Sequence, residues 1–374
     1  MTGVCVGYGR QHATRCQTYP SGPVNVVRRF HLQWLPEGSV NASGFCLSCF
    51  LVYRRFMPPS PAHVLFLFID GIGLGPDSST NPMADLGPHW GRLARHTGWT
   101  TRTPCVDRDR HVFRAVDATL GVDGLPQSGT GQASLFSGVN CAKHAGRHFG
   151  PFPHSSSKPI LATNNLFQRV HAATQNAEAC AFANAYPPVF FEKRARRNRW
   201  TVTTLCSRQA GVRLRSTPDV HAGHALPADL VGAAWNEHLN IAIPQQTAAA
   251  AGRTLYRIMQ RYRLTLFEYY ETDKAGHGRS HLSISTILSR LDALLGGVLD
   301  NFSATRDLLL ICSDHGNLEV PHQKPHTHHP VPLVAYGCGA AAFRSATTLT
   351  DVTPALAGLF GASTPSPLDI PSSG

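Results

Sequence analysis

Four short, largely apolar runs constrain this chain most: Val64 to Ile69, Leu264 to Tyr270, Leu308 to Cys312 and Val331 to Tyr336. Runs of this length with little polar alternation suit strands buried on both faces, as in a parallel sheet covered by helices. Helical periodicity fills the intervals, over Gln245 to Tyr262 and Leu282 to Phe302. Strands alternating with helices predict an α/β fold built on a doubly wound, mostly parallel sheet, whose ligands sit beyond the carboxyl ends of the strands. Three of the runs stop close to an acid at that end: Asp70, Asp273 and Asp314.

The 374 residues can bury one sizeable core with a smaller insertion. Residues 57–163 and 239–374 carry the strand and helix patterns and are expected to form that core. The stretch 164–238 has another texture, with Phe190-Phe191-Glu192-Lys193-Arg194-Ala195-Arg196-Arg197-Asn198-Arg199-Trp200, a strand-like Thr201 to Leu205 and then a polar, His-containing loop. It is expected to be a small inserted cap over the site, although a solvated basic helix explains the same residues. Residues 1–56 show no clear period and hold four of the ten cysteines, with six Arg against one acid. They read as an atypical extension, disordered or not native, with Met57 before Pro58-Pro59-Ser60-Pro61 as the expected start. An Arg-rich, acid-poor transit peptide is the competing reading.

The formal charge of +11 comes with far more Arg than Lys. It lacks any RNP, zinc-finger or helix-turn-helix pattern, so it speaks for attraction of a small anion rather than for nucleic acid as the main partner. No run approaches the roughly 20 apolar residues that span a bilayer, and no charged n-region leads into an apolar h-region. No membrane partner is therefore expected. Cys46 and Cys49 form a lone CxxC without the second pair of a zinc ribbon. Scattered cysteines of this kind suit reduced thiols in a cytoplasmic protein. Oligomeric state is left open.

The chemistry concentrates in Thr272-Asp273-Lys274-Ala275-Gly276-His277, Ser313-Asp314-His315-Gly316-Asn317 and Lys324-Pro325-His326-Thr327. Carboxylate oxygens and imidazole nitrogens are ligands of Zn or Mn, and two such ions about 4 Å apart can clamp the attacking and leaving oxygens of a displacement at phosphorus. Asp273 and His277, four apart, can aim at one ion from a first helical turn. Asp314 and His315 can share an ion where the chain turns through Gly316. Asp70 and His326 complete the set, with His322, His328 and His329 as neighbours competing with His326. A nucleophile is expected in Gln127-Ser128-Gly129-Thr130-Gly131-Gln132, where Ser128 and Thr130 both qualify and a helix starting near Thr130 or Gly131 would face the anion.

These blocks resemble the alkaline phosphatase superfamily, in the metalloenzyme branch that contains cofactor-independent phosphoglycerate mutase and phosphopentomutase. Asp70-Gly71 looks like the branch's first ligand Asp, and Asp273-Lys274-Ala275-Gly276-His277 like its D-x-x-G-H. Ser313-Asp314-His315-Gly316-Asn317 looks like A-D-H-G-N, and His326-Thr327-His328-His329-Pro330-Val331-Pro332 like H-T-x-x-P-V-P. The resemblance covers about residues 62 to 160 and 245 to 360. It implies one ion held by Asp70, Ser128, Asp314 and His315, and a second held by Asp273, His277 and His326. It also singles out Ser128, which stands as in S-x-x-G-H, with Gln132 in the place of the His.

The resemblance implies a small anionic phosphate ester as substrate, two divalent metals (Zn or Mn) as cofactors and a serine phosphoenzyme. Hydrolysis of the ester is the expected outcome, with phosphomutase activity and a non-catalytic metal-binding protein as alternatives. Arg194, Arg196, Arg197, Arg199 and Lys274 are the expected substrate contacts. No Cys-x-Pro-Ser-Arg is present, which disfavours the sulfatase branch.

Overall fold

The computed structural model describes residues 59–362 except 322 and 324, together with two short strands near the start of the chain. The chain divides into two compact units, Met1–Met57 and Pro58–Gly374. Of the first, the described part is an antiparallel pair, Val4–Val6 with Ala13–Arg15. The remainder of the expected extension, with Cys46, Cys49 and Met57, lies outside the described residues.

The second unit is built on a seven-stranded sheet. Its strands in chain order are β1 (His63–Ile69), β2 (Val106–Arg108), β3 (His111–Val116), β4 (Cys180–Phe182), β5 (Leu264–Tyr269), β6 (Asp307–Cys312) and β7 (Val331–Gly337). Across the sheet they run β2-β3-β7-β6-β1-β5-β4. β4, β5, β1 and β6 are parallel neighbours, while β7, β3 and β2 pair antiparallel in succession. Five strands therefore point one way, and the expected mostly parallel α/β sheet is what forms.

Strand alternation decides the layers. Val64, Phe66 and Phe68 of β1 pack into one fully buried cluster, with helices α2 (Ser128–Ser137), α3 (Leu166–Thr174), α5 (Val202–Gln209) and α9 (Val352–Gly358). Leu65, Leu67 and Ile69 pack into the other, under α1 (Pro88–Ala94), α6 (Ala248–Met259) and α8 (Ile284–Leu299). Phe136 of α2 meets Phe66 and Phe68 at ring-centroid distances of 5.7 and 5.3 Å. Each such aromatic pair contributes about 1 kcal/mol beyond its buried area. The contact seats α2 across β1, so its first turn lies at that strand's carboxyl end.

The stretch 164–238 is not wholly a cap. Its first part supplies α3 and the edge strand β4, which pairs with β5 from Cys180 to Phe182. Thr201 to Leu205, expected as strand, enters α5. β-Branched residues hold a helix here because their hydroxyls find local partners and their neighbours find the core. Thr204 Oγ1 bonds the carbonyl of Thr201, and Val202 and Cys206, one turn apart, are buried together. No helix among the described residues is long and apolar enough to cross a membrane.

Candidate metal centre

Three adjacent strands of the sheet's centre, β6, β1 and β5, end together. Asp314 follows β6 by two residues and Asp70 follows β1 directly, while Asp273 lies in the short helix α7 (Glu271–Gly276) after β5. β7 runs antiparallel to β6, so the loop before it returns His326 to the same end. The Thr272 hydroxyl ties β5 to β1 by donating to the Asp70 carbonyl at 2.5 Å.

One half of the cluster joins Asp70, Asp314, His315 and Ser128, all buried. His315 Nε2 lies 3.3 Å from Asp70 Oδ1 and 3.5 Å from Asp314 Oδ2. Ser128 opens α2, and its Oγ is 2.9 Å from the same His315 nitrogen. One turn on, Gln132 Nε2 donates to Asp70 Oδ2 at 3.2 Å and to Asp314 Oδ2 at 3.0 Å. In the other half, His277 Nε2 is 3.4 Å from Asp273 Oδ1 and 3.1 Å from His326 Nε2. His326 Nδ1 sits 2.7 Å from the carbonyl of Pro126, which makes Nδ1 the protonated nitrogen and turns the lone pair of Nε2 toward Asp273. The His315 and His326 rings stack at 3.7 Å and join the halves.

Burial first, then the charges of Asp314, Asp273 and Glu268, pushes the Asp70 carboxyl well above the usual range. Burial likewise raises Asp314, against the opposing pull of His315. His326 is pushed down to about 4 by burial and by the charge of His315, so its imidazole is neutral. Among the described residues, no Lys or Arg side chain bonds to Asp70, Asp273 or Asp314. A cation would relieve this crowding of like charge. Asp70 Oδ1 and His315 Nδ1 are buried without a hydrogen-bond partner. Ligand atoms of Asp70, Asp314 and His315, and of Asp273, His315 and His326, lie within 4.8 Å of one another. Oxygen and imidazole donors in two overlapping groups fit divalent ions.

Other expected residues fall elsewhere. The Thr130 hydroxyl is fully buried and engages the backbone of Gln127 and Phe149, so of the two candidate hydroxyls the fold brings Ser128 to the ligands. Lys274, within α7, is 2.6 Å from Glu271 and lies over the Tyr270 ring, so its ammonium is engaged there. Arg196 and Arg197 are exposed on helix α4 (Pro188–Arg197). Arg194 and Arg199 instead cover the ring of Phe152 at 5.5 and 4.2 Å. The Phe152 carbonyl abuts Gly129, so these two arginines border the turn that carries Ser128. His328 is exposed, His329 pairs with Glu319, and His322 lies outside the described residues.

Sequence reasoning assigned no role to Gln132, Asn317, Glu268 or Glu319. Asn317 Nδ2 donates to Asp273 Oδ1 at 2.7 Å and orients that ligand. Burial pushes the Glu268 carboxyl up to about 7, against a hydrogen bond from Thr203. The third and fourth motif blocks contain or border Asn317 and Glu319, but only close approach in space shows what these two hold.

Residues 239–364 match the family model described as Metalloenzyme superfamily. Over this C-terminal part the chain is similar to that metalloenzyme family. The chain is 30% identical over 112 residues to the 2,3-bisphosphoglycerate-independent phosphoglycerate mutase of Vibrio vulnificus, a match that covers 28% of this chain and 22% of that protein. It is 34% identical over 79 residues to that of Prochlorococcus marinus, covering 20% and 15%. The chain thus spans about a fifth of the length of the curated relatives it matches. Among solved structures it is similar to alkaline phosphatase from the Antarctic bacterium TAB5, with a TM-score of 0.48 and 11% identity over 82% of this chain and 100% of that one. It is also similar to Leishmania mexicana phosphoglycerate mutase, with a TM-score of 0.44 and 11% identity over 85% and 99%.

Proposed function

We propose that this chain is a metalloenzyme that transfers a phosphoryl group from a small anionic phosphate ester to Ser128 and then to water. The observation that carries the proposal is Ser128 Oγ at the start of α2, 2.9 Å from His315 Nε2 within the ligand cluster. Asp70, Asp314, His315 and Ser128 would hold one divalent ion, Zn or Mn, and Asp273, His277 and His326 would hold a second. When bound, they supply Lewis acidity that lowers the pKa of the serine hydroxyl and steadies the departing alkoxide. Ser128 Oγ bonds to phosphorus as the bond from phosphorus to the ester oxygen breaks, and the proton that Oγ gives up ends on that departing oxygen, which leaves as an alcohol. Water then breaks the Oγ–P bond, returning the serine and releasing phosphate. Gln132 holds Asp70 and Asp314 in register, and the amino end of α2 favours the negative charge. Arg194 and Arg199, beside the Ser128 turn, would draw in the anion. Cytoplasmic residence belongs to the same reading, since exposed thiols such as Cys105 stay reduced there.

A second reading, phosphomutase activity, is favoured by the curated relatives, which are mutases by name. In it the phosphoryl group returns from Ser128 to another hydroxyl of the same substrate. The test is to assay the full chain with Zn or Mn on aryl phosphates and on 2- and 3-phosphoglycerate, beside Ser128→Ala. Free phosphate released by the parent and reduced roughly a thousandfold or more in the variant is the expected result. Interconversion of the phosphoglycerates without free phosphate would select the mutase. Bound metal with no turnover on any ester would leave a metal-binding protein, and turnover surviving in the variant would remove Ser128 as nucleophile.

A further inference from the structure

We infer that Glu319 is a positioning residue that locks the loops carrying the metal ligands into one rigid cradle. It is 2% exposed and its carboxylate is fully engaged. Oε2 accepts the amide of Gly73 at 2.9 Å and the amide of Asn317 at 2.8 Å. Oε1 accepts the Thr327 hydroxyl and lies 3.1 Å from His329 Nδ1. These partners come from three separate loops. Gly73 follows Asp70, Asn317 follows His315, and Thr327 adjoins His326. The fourth block is reached at one remove, because the Asn317 side chain donates to Asp273.

Two glycines make room for this carboxylate. A Cβ on Gly73 or on Gly316 would collide with Glu319 Oε1, so both loops carry glycine where the acid comes closest. Burial alone would raise the pKa of Glu319. The hydrogen bonds from His329, Thr327 and backbone amides outweigh it and hold the carboxyl below its ordinary range. Glu319 touches none of the ligand atoms, and its effect passes through the backbone and through Asn317. Groups that orient ligands from behind commonly change metal affinity about 10–100-fold when removed.

The inference rests on the metal centre proposed above, and Mn²⁺ titrated calorimetrically into the metal-free full chain is the probe. Glu319→Gln keeps an acceptor for both amides, and its NH₂ can face Thr327 and His329. Its affinity is expected within about threefold of the parent's. Glu319→Leu is expected to bind Mn²⁺ about 10–100-fold more weakly, with faster hydrogen exchange at the amides of Gly73 and Asn317. Leu294→Ala, a core truncation in α8, controls for stability and should leave Mn²⁺ affinity unchanged. Parent-like affinity and exchange in Glu319→Leu would overturn the inference, as would equal weakening in Leu294→Ala. If Glu319→Leu does not fold, Thr327→Val and His329→Ala, both only half-buried, take its place, and parent-like behaviour in both overturns it. Mn²⁺ binding without phosphoryl transfer would sink the catalytic reading and leave Glu319 in place. A parent that binds no divalent ion would sink the metal centre itself, while the exchange rates still decide whether Glu319 holds the loops.

Discussion

The two halves of the metal centre use the same kinds of side chain in different surroundings. Asp70, Asp314 and His315 have side chains 10%, 0% and 0% exposed, and the amide of Gln132 bridges the two acids. Asp273, His277 and His326 are 20%, 13% and 7% exposed, with Asn317 on one side only. The closed half is set by the sheet and by α2. The open half stands on the single turn of α7 and on a loop, so an ion there would be the more exposed to solvent. Burial of like charges in the closed half also costs stability without metal, whereas the open half is better hydrated.

Replacing one acid on the closed side is the strongest way to break this contrast. Asp314→Asn is expected to lower metal-dependent turnover roughly a thousandfold while raising the unfolding temperature of metal-free protein, because it removes a carboxylate whose ionisation the fold opposes. His277→Ala, on the open side, is expected to weaken one ion by more than the about 10–100-fold typical of losing an orienting group and to leave the other unaltered. Calorimetric titration of both variants checks this, and loss of both ions together from His277→Ala would erase the distinction.

A smaller effect follows from Glu268, whose folded carboxyl is raised to about 7 from an unfolded value near 4.3. The folded state then binds the proton more tightly. Its contribution is present at low pH and is lost as pH climbs from about 4 to about 7. Glu268→Gln should flatten that decline in chelator-treated protein by up to about 3 kcal/mol. Unfolding temperatures from pH 4 to pH 8 that fall equally in parent and variant would refute it. The smallest change is expected from Arg199→Ala at the Phe152 edge, a severalfold rise in KM with kcat within about twofold, the mark of lost anion attraction. A kcat collapse would instead place Arg199 against the reacting phosphoryl group.

The clustered acids were legible because chemistry and position coincide in the sequence. An acid after an apolar run is read as a strand-end group, and Asp70, Asp273 and Asp314 meet that description. Gln132 and Glu319 were not, since their partners lie far off in the chain, as Glu319 does from Gly73, and nothing local marks the approach. β2 and β4, three residues each, are too short to display a period. Thr201 to Leu205 failed for the opposite reason: its propensity pointed to strand, and the packing of Val202 and Cys206 overrode it.

The in-register pairing of β1 with β5 and β6 makes the sheet a ruler. Neighbouring strands stand about 4.8 Å apart, close to the roughly 4 Å between the ions of a two-metal site. With Asp70 following the middle strand and Asp273 and Asp314 following the flanking ones, backbone pitch sets the spacing of the three acids before any side chain is chosen. Lengthening the helices on either face would leave that spacing untouched. A one-residue slip of β1 would carry its acid off the scale, which ties the chemistry of this site to hydrogen bonds made wholly between main chains.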